Sequence, residues 1–110
     1  MGNKKVIVGI RLPGGIKDDY RRIVEERNIT ITELSLGLLK EMLEKFKKGE
    51  LKNNRQIPLE WMRSKKFRIY LKMERDFKDE LQKTAIQNIR SLSNFCEYLI
   101  LTGLQERGLI

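Results

Sequence analysis

The chain has 110 residues, enough for one compact domain, and its 40% hydrophobic content is enough to build a core. It carries 23 Lys and Arg against 15 Asp and Glu, a net charge of +8, which favours a polyanionic partner, nucleic acid before a membrane surface. With one cysteine and no histidine, an intrachain disulfide, a Cys/His zinc site and every histidine-based triad are excluded.

The first predicted element is a strand. In "KKVIVGIRLP" (4–13), Val6, Val8, Ile10 and Leu12 alternate with Lys5, Ile7, Gly9 and Arg11. Strict alternation gives one buried face and one wet face. Pro13 stops the strand and suits the first turn of a helix. That helix is predicted in "GGIKDDYRRIVEERN", where Ile16, Tyr20, Ile23 and Val24 fall at helical spacing and Asp18 and Asp19 complement the dipole. A second helix is predicted in "TITELSLGLLKEMLEKFKKG". Thr30 is its N-cap and Glu33 completes a capping box. Ile31, Leu34, Leu38, Leu39, Met42 and Phe46 form an apolar stripe, Lys47 and Lys48 suit the last turn, and Gly49 suits the residue after it.

The stretch from 47 to 66 holds seven cations and two acids. "KNN" reads as loop, Pro58 opens a short helical turn through "LEWMR", and Trp61 is expected to pack as a lid on the body. The cations fit either a phosphate-tracking arm or a solvated loop. Then "KKFRIYLKM" (65–73) alternates again: Phe67, Ile69, Leu71 and Met73 against Arg68, Tyr70 and Lys72. Two more helices follow. "ERDFKDELQKTAIQN" keeps Phe77, Leu81 and Ala85 in phase, with Asp79 and Glu80 as a second acid pair expected at a helix start. "SLSNFCEYLILTGLQERG" carries Leu92, Phe95, Leu99, Ile100 and Leu104 behind a Ser91 cap.

Adding 61 to each position aligns the two halves without a gap. Ile16 falls on Phe77, Tyr20 on Leu81, "TITEL" on "SLSNF", and Leu38 and Leu39 on Leu99 and Ile100. The second strand therefore has a candidate partner, the first strand of the same chain. Cys96 aligns with Ser35 and is expected to be a core thiol, not a nucleophile. Leu36, Tyr98 and Leu101 lie off the inner stripe and are expected on a surface where two chains meet.

A strand and two helices, taken twice, with large polar residues on the outer strand face, resembles the ribbon-helix-helix family of DNA-binding proteins, to which the Arc and MetJ repressors belong. The resemblance covers about residues 5–48 and 66–108 and rests on order and spacing. Most members are homodimers in which each chain gives one strand to a two-stranded ribbon. This chain holds both units, and such tandem forms are similar to regulators of archaeal filamentous viruses. The fold implied is mostly α with a short two-stranded antiparallel ribbon, a tandem intrachain pseudo-dimer. The first unit would span 1–48, a basic linker 49–65 and the second unit 66–110, around one shared core.

The resemblance implies a sequence-specific regulator of transcription, such as a repressor, that inserts its ribbon into the major groove of double-stranded DNA. The implied base readers are Ile7, Gly9, Arg11, Arg68, Tyr70 and Lys72. Arg and Lys suit guanine, and Ile7 suits a thymine methyl. Gly9 either lets the ribbon approach closely or leaves room for Tyr70. Phosphate contacts would come from Lys5, Lys66 and the second-helix N-termini at Thr30, Ile31, Thr32 and Ser91, Leu92, Ser93. A low-specificity coating or architectural protein and an antitoxin-like interaction protein are the alternatives. No catalytic residue, metal or cofactor is expected. Two or more chains are expected to act together on DNA, since one small module binds modestly. No apolar run approaches the ~20 residues of a membrane span, and a cytoplasmic setting, that of the host for a viral protein, is expected.

Overall fold

A computed structural model describes residues 4–51 and 67–110. Expectations for Pro58, Trp61, Lys66 and most of the basic linker lie outside the described residues. The described chain runs β1 (Lys5–Leu12), a 3₁₀ turn (Gly14–Ile16), α1 (Lys17–Arg27), α2 (Ile31–Lys47), β2 (Phe67–Glu74), α3 (Arg75–Gln87) and α4 (Leu92–Glu106). The fold is thus mostly helical, with one two-stranded antiparallel sheet.

The alternation read from the sequence becomes the two faces of that sheet. Val8, Ile10, Leu12, Ile69, Leu71 and Met73 are buried, while the residues between them are exposed. The register sets Val8 opposite Leu71, Ile10 opposite Ile69 and Gly9 opposite Tyr70. β1 packs on α4 and α3, and β2 packs on α2 and α3. Each strand therefore leans on helices from the other half of the chain. The buried side chains of both halves form one cluster, centred where α2 crosses α4.

Thr30 caps α2 through the expected capping box: its Oγ1 accepts from the Glu33 N–H at 3.0 Å, and Glu33 Oε1 accepts from the Thr30 N–H at 3.3 Å. Ser91 Oγ accepts from the Asn94 N–H at 3.1 Å and caps α4. One expectation fails at α3. The second half has no counterpart of the Pro13–Gly14–Gly15 turn, so α3 begins directly after β2 at Arg75. Its first-turn acid is Asp76, and Asp79 and Glu80 lie a turn further on. Glu80 instead pairs with Lys47 of α2 at 2.7 Å. Leu101 also departs from expectation: it is buried at 2% exposure in the core and cannot belong to an outer contact surface. Leu36 and Tyr98 are half-buried against the core, Tyr98 beside Phe46 and Phe95. α2, α3 and β1 all pack on α4, so the side of the helix that carries Leu101 is covered.

All four helices among the described residues end on the same hydrogen-bond pattern, with a left-handed residue just past the last turn. Asn28, Gly49, Ile89 and Gly108 hold these positions at φ 52°, 70°, 56° and 69°. In each case the next N–H bonds five residues back, as Arg90 does to Ala85 O at 2.9 Å and Glu50 to Lys45 O at 2.9 Å. Glycine and asparagine accept this conformation, but a β-branched side chain crowds its own backbone there. Ile89 is 96% exposed, so no packing compensates. Ile89→Gly is expected to raise unfolding free energy by about 1 kcal/mol, read as a higher midpoint in a thermal melt. An unchanged midpoint would show that Ile89 is not strained.

One buried polar pair distinguishes the halves. The Tyr20 hydroxyl and Ser35 Oγ share a hydrogen bond of 3.0 Å inside the core. The equivalent positions of the second half are Leu81 and Cys96, both fully buried. Both members of the pair are replaced together, so neither half leaves a buried hydroxyl without a partner. Burial pushes the Cys96 thiol up from 9.0 to about 12, which keeps it protonated and inert. Burial likewise raises the Tyr20 phenol from 10.0 to about 12, with the Ser35 hydrogen bond acting the other way. Each group holds its proton more tightly folded than unfolded. Its contribution is therefore complete below the unfolded value and is lost as pH climbs towards about 12. The stability gap between wild type and Cys96→Ala, measured by urea unfolding, is expected to narrow as pH rises above 9.0, where an unburied thiol would ionise. A gap that stays constant would place the thiol in a wet site.

Candidate nucleic-acid interface

The pleat of the sheet carries every outward side chain of β1 and β2 onto one exposed surface. Along it the cross-strand pairs run Lys5–Glu74, Ile7–Lys72, Gly9–Tyr70 and Arg11–Arg68. All eight residues are exposed. The six implied base readers thus share one face of one sheet. Four cations and one acid stand on it, so the face is strongly positive.

The centre of the face is the Gly9–Tyr70 pair. These positions are 61 apart, the offset that aligns the two halves of the sequence, so here two aligned residues face each other across the sheet. A Cβ on Gly9 would come within 3.3 Å of the Tyr70 ring. The ring lies over the glycine, and of the two roles open to Gly9, leaving room for Tyr70 has direct geometric support. Two identical large residues at this pair would compete for the same space. Tyr70 is 62% exposed, and its hydroxyl is 3.5 Å from the Arg68 guanidinium.

Two features of the face cost free energy in water. Arg11 stands directly opposite Arg68, and like charges at facing positions destabilise a sheet. Ile7 is 70% exposed on a polar surface. A solvated sheet face gains nothing from either.

The implied phosphate positions are not gathered at one place. Lys5 sits at the end of the exposed face. Thr30, Ile31 and Thr32 open α2, and Ser91, Leu92 and Ser93 open α4. Among the described residues, no hydrogen bond or ion pair joins either terminus to the outer face of the sheet. The two termini differ in charge. At α2 the Glu33 carboxylate already occupies the Thr30 N–H and opposes an incoming anion. At α4 the neutral Asn94 holds the equivalent place. Arg90 precedes that cap, with its guanidinium 4.6 Å from the Tyr98 ring centroid and a 3.5 Å hydrogen bond to Asn94 Oδ1. The α4 terminus thus lacks the acidic side chain that α2 carries at its start.

Two cations near these positions escape a reading based on chain order. Arg90 precedes a cap, a signal that is present in the sequence. Lys40, on the exposed side of α2, reaches a recess beside Lys5 and Lys72, and no local pattern marks it. Among the described residues no acidic or cysteine cluster is arranged to hold a metal ion, and no helix is long and apolar enough to cross a membrane. No family model, no curated protein and no solved structure matches this chain.

Proposed function

We propose that this protein is a sequence-specific regulator of transcription that binds double-stranded DNA as a tandem ribbon-helix-helix pseudo-dimer, with its two-stranded sheet in the major groove. One observation carries the reading: Arg11 and Arg68 face each other at one end of an exposed face that also presents Lys72, Tyr70 and Ile7. A polyanion with readable base edges turns this unfavourable surface into a favourable one. A two-stranded ribbon fits the major groove, arginine and lysine match guanine, and an outward isoleucine matches a thymine methyl. The constant offset of the halves, and the Gly9–Tyr70 pair at its centre, support the pseudo-dimer. Because the two strands present different side chains, the preferred DNA element of one chain need not be palindromic.

Selection of bound fragments from random duplexes, followed by competition of the selected duplex against random DNA, tests the reading. Preference of about 10³-fold or more for the selected duplex supports a regulator. Equal affinity with a steep salt dependence would replace it with a DNA-coating protein. Two or more chains are expected on neighbouring sites, and sedimentation showing strictly one chain per selected duplex would contradict this.

A further inference from the structure

A recess of about 120 Å³ opens between the end of the sheet, α2 and the start of α3. Lys5, Lys40 and Lys72 line it together with Glu74. Its apolar wall is Leu36, Met73 and Phe77, and the Lys40 ammonium lies 5.8 Å from the Phe77 ring centroid. Three ammonium groups against one carboxylate leave a net charge of +2 on the lining.

The lining narrows the class of occupant. Drug-sized pockets hold roughly 300–1,000 Å³, so this recess takes one small group rather than a nucleobase with its sugar. Lysine is a compact point charge with three rotatable donors, and three lysines around one recess can each reach a different oxygen of a tetrahedral oxyanion. The excess of two positive charges suffices to neutralise a phosphodiester, with one negative charge, or a phosphate monoester, with up to two. The apolar wall lowers the local dielectric and strengthens the attraction.

We infer that this recess seats a single phosphoryl group, with Lys40 as a ligand alongside Lys5 and Lys72. Two sources share that chemistry: a backbone phosphate of a duplex lying against the sheet, and a free phosphate or phosphate monoester. The first source rests on the DNA-binding reading above; the second does not. Since Lys72 serves both the recess and the sheet face, a free phosphoryl ligand would compete with DNA.

Lys40→Gln is the informative variant, because Lys40 is exposed and its loss leaves the core intact. Two measurements separate the sources. Binding of a selected duplex by wild type and variant is followed across salt concentrations. Separately, inorganic phosphate is titrated into the DNA-free protein while the amide resonances of Lys5, Lys40, Lys72 and Phe77 are monitored. A duplex affinity about tenfold weaker in the variant, with a salt slope lower by about 1, assigns the recess to a backbone phosphate. Saturable shifts with phosphate in wild type that vanish in Lys40→Gln assign it to a free ligand. Wild-type duplex binding unchanged in the variant, together with no saturable shift, overturns the inference while leaving the DNA reading intact. If wild type binds no duplex at all, the DNA reading fails and the phosphate titration alone decides the recess.

Discussion

Gly103→Val is expected to lower unfolding free energy by about 3 kcal/mol, the upper part of the usual range for overpacking a core. α4 passes α2 at this glycine so closely that an added Cβ would meet Leu38 Cδ2 at 2.8 Å and Met42 Cγ at 3.0 Å. Leu38 and Met42 are fully buried, so neither has open space to move into. The α2–α4 crossing is the main helix–helix contact between the two halves, and a small separation there loosens the seats of both strands. Valine adds two methyls beyond the Cβ and, being β-branched, exceeds glycine in helix propensity by only a few tenths of a kcal/mol, roughly a tenth of the packing cost. Gly37 supplies the control. It lies in α2, and a Cβ added there would meet nothing within 4 Å. Gly37→Ala should therefore gain the ordinary helix preference of about 1 kcal/mol. Thermal melts of the two variants are expected to move in opposite directions, the valine variant by about −10 to −20 °C. A Gly103→Val protein as stable as wild type would mean that α2 and α4 do not meet tightly.

That crossing also shows what the sequence can and cannot disclose. Gly103 is one glycine in an apolar helix, and periodicity places it inward without saying that another helix touches it. The strands are far more legible. Alternation fixes which side chains share a face, and the offset of 61 names the partner strand. Both follow from the period-two geometry of a pleat, which needs no tertiary information. The register is different: that Gly9 lies opposite Tyr70 depends on how both strands seat on the helices. Helix caps are legible at Thr30 and Ser91 because capping chemistry is local. The start of α3 is not, because copying the first half onto the second ignores the missing Pro-Gly-Gly turn. Leu101 escapes a sequence reading for a related reason: which side of α4 is wet depends on its neighbours, and three elements pack on it. Lys40 is invisible as a ligand because its recess is assembled from both strands and two helices that are distant in the chain.

Aligned positions of the two halves carry different residues at the contacts that matter most. Tyr20 with Ser35 answers Leu81 with Cys96 in the core. Gly9 answers Tyr70 at the centre of the sheet, where only one large side chain fits. Glu33 answers Asn94 at the helix starts, leaving one N-terminus acid-guarded and the other open. A homodimer cannot make such substitutions, because every change appears on both sides of its axis. Joining the units in one chain frees each contact to use two different residues. The same freedom leaves the two strands presenting different side chains on the exposed face of the sheet.

Arg68→Ala is expected to move stability and DNA affinity in opposite directions. Without DNA, Arg68 faces Arg11 across the sheet, and relieving that repulsion should raise stability by a few tenths of a kcal/mol, on the order of other cross-strand pairs. On the proposed DNA-binding function the guanidinium bonds a guanine edge, and losing such a contact would cost about 1–3 kcal/mol of affinity, roughly 5- to 150-fold. The loss should be concentrated on the selected duplex and should relax the preference for one base pair, whereas a phosphate contact would weaken all sequences alike. Arg11→Ala should give the same gain in stability, and the double variant should gain little more than either single one, since one repulsion is removed in each case. Urea unfolding of the free protein and fluorescence anisotropy on selected and random duplexes measure the two effects in one buffer. A variant that binds the selected duplex as tightly as wild type would remove the sheet face from the interface. A variant that loses both stability and affinity would show Arg68 to be structural. A rise in one with a fall in the other is the mark of a surface held in an unfavourable state until its partner arrives, and the facing arginines supply the physical reason for it.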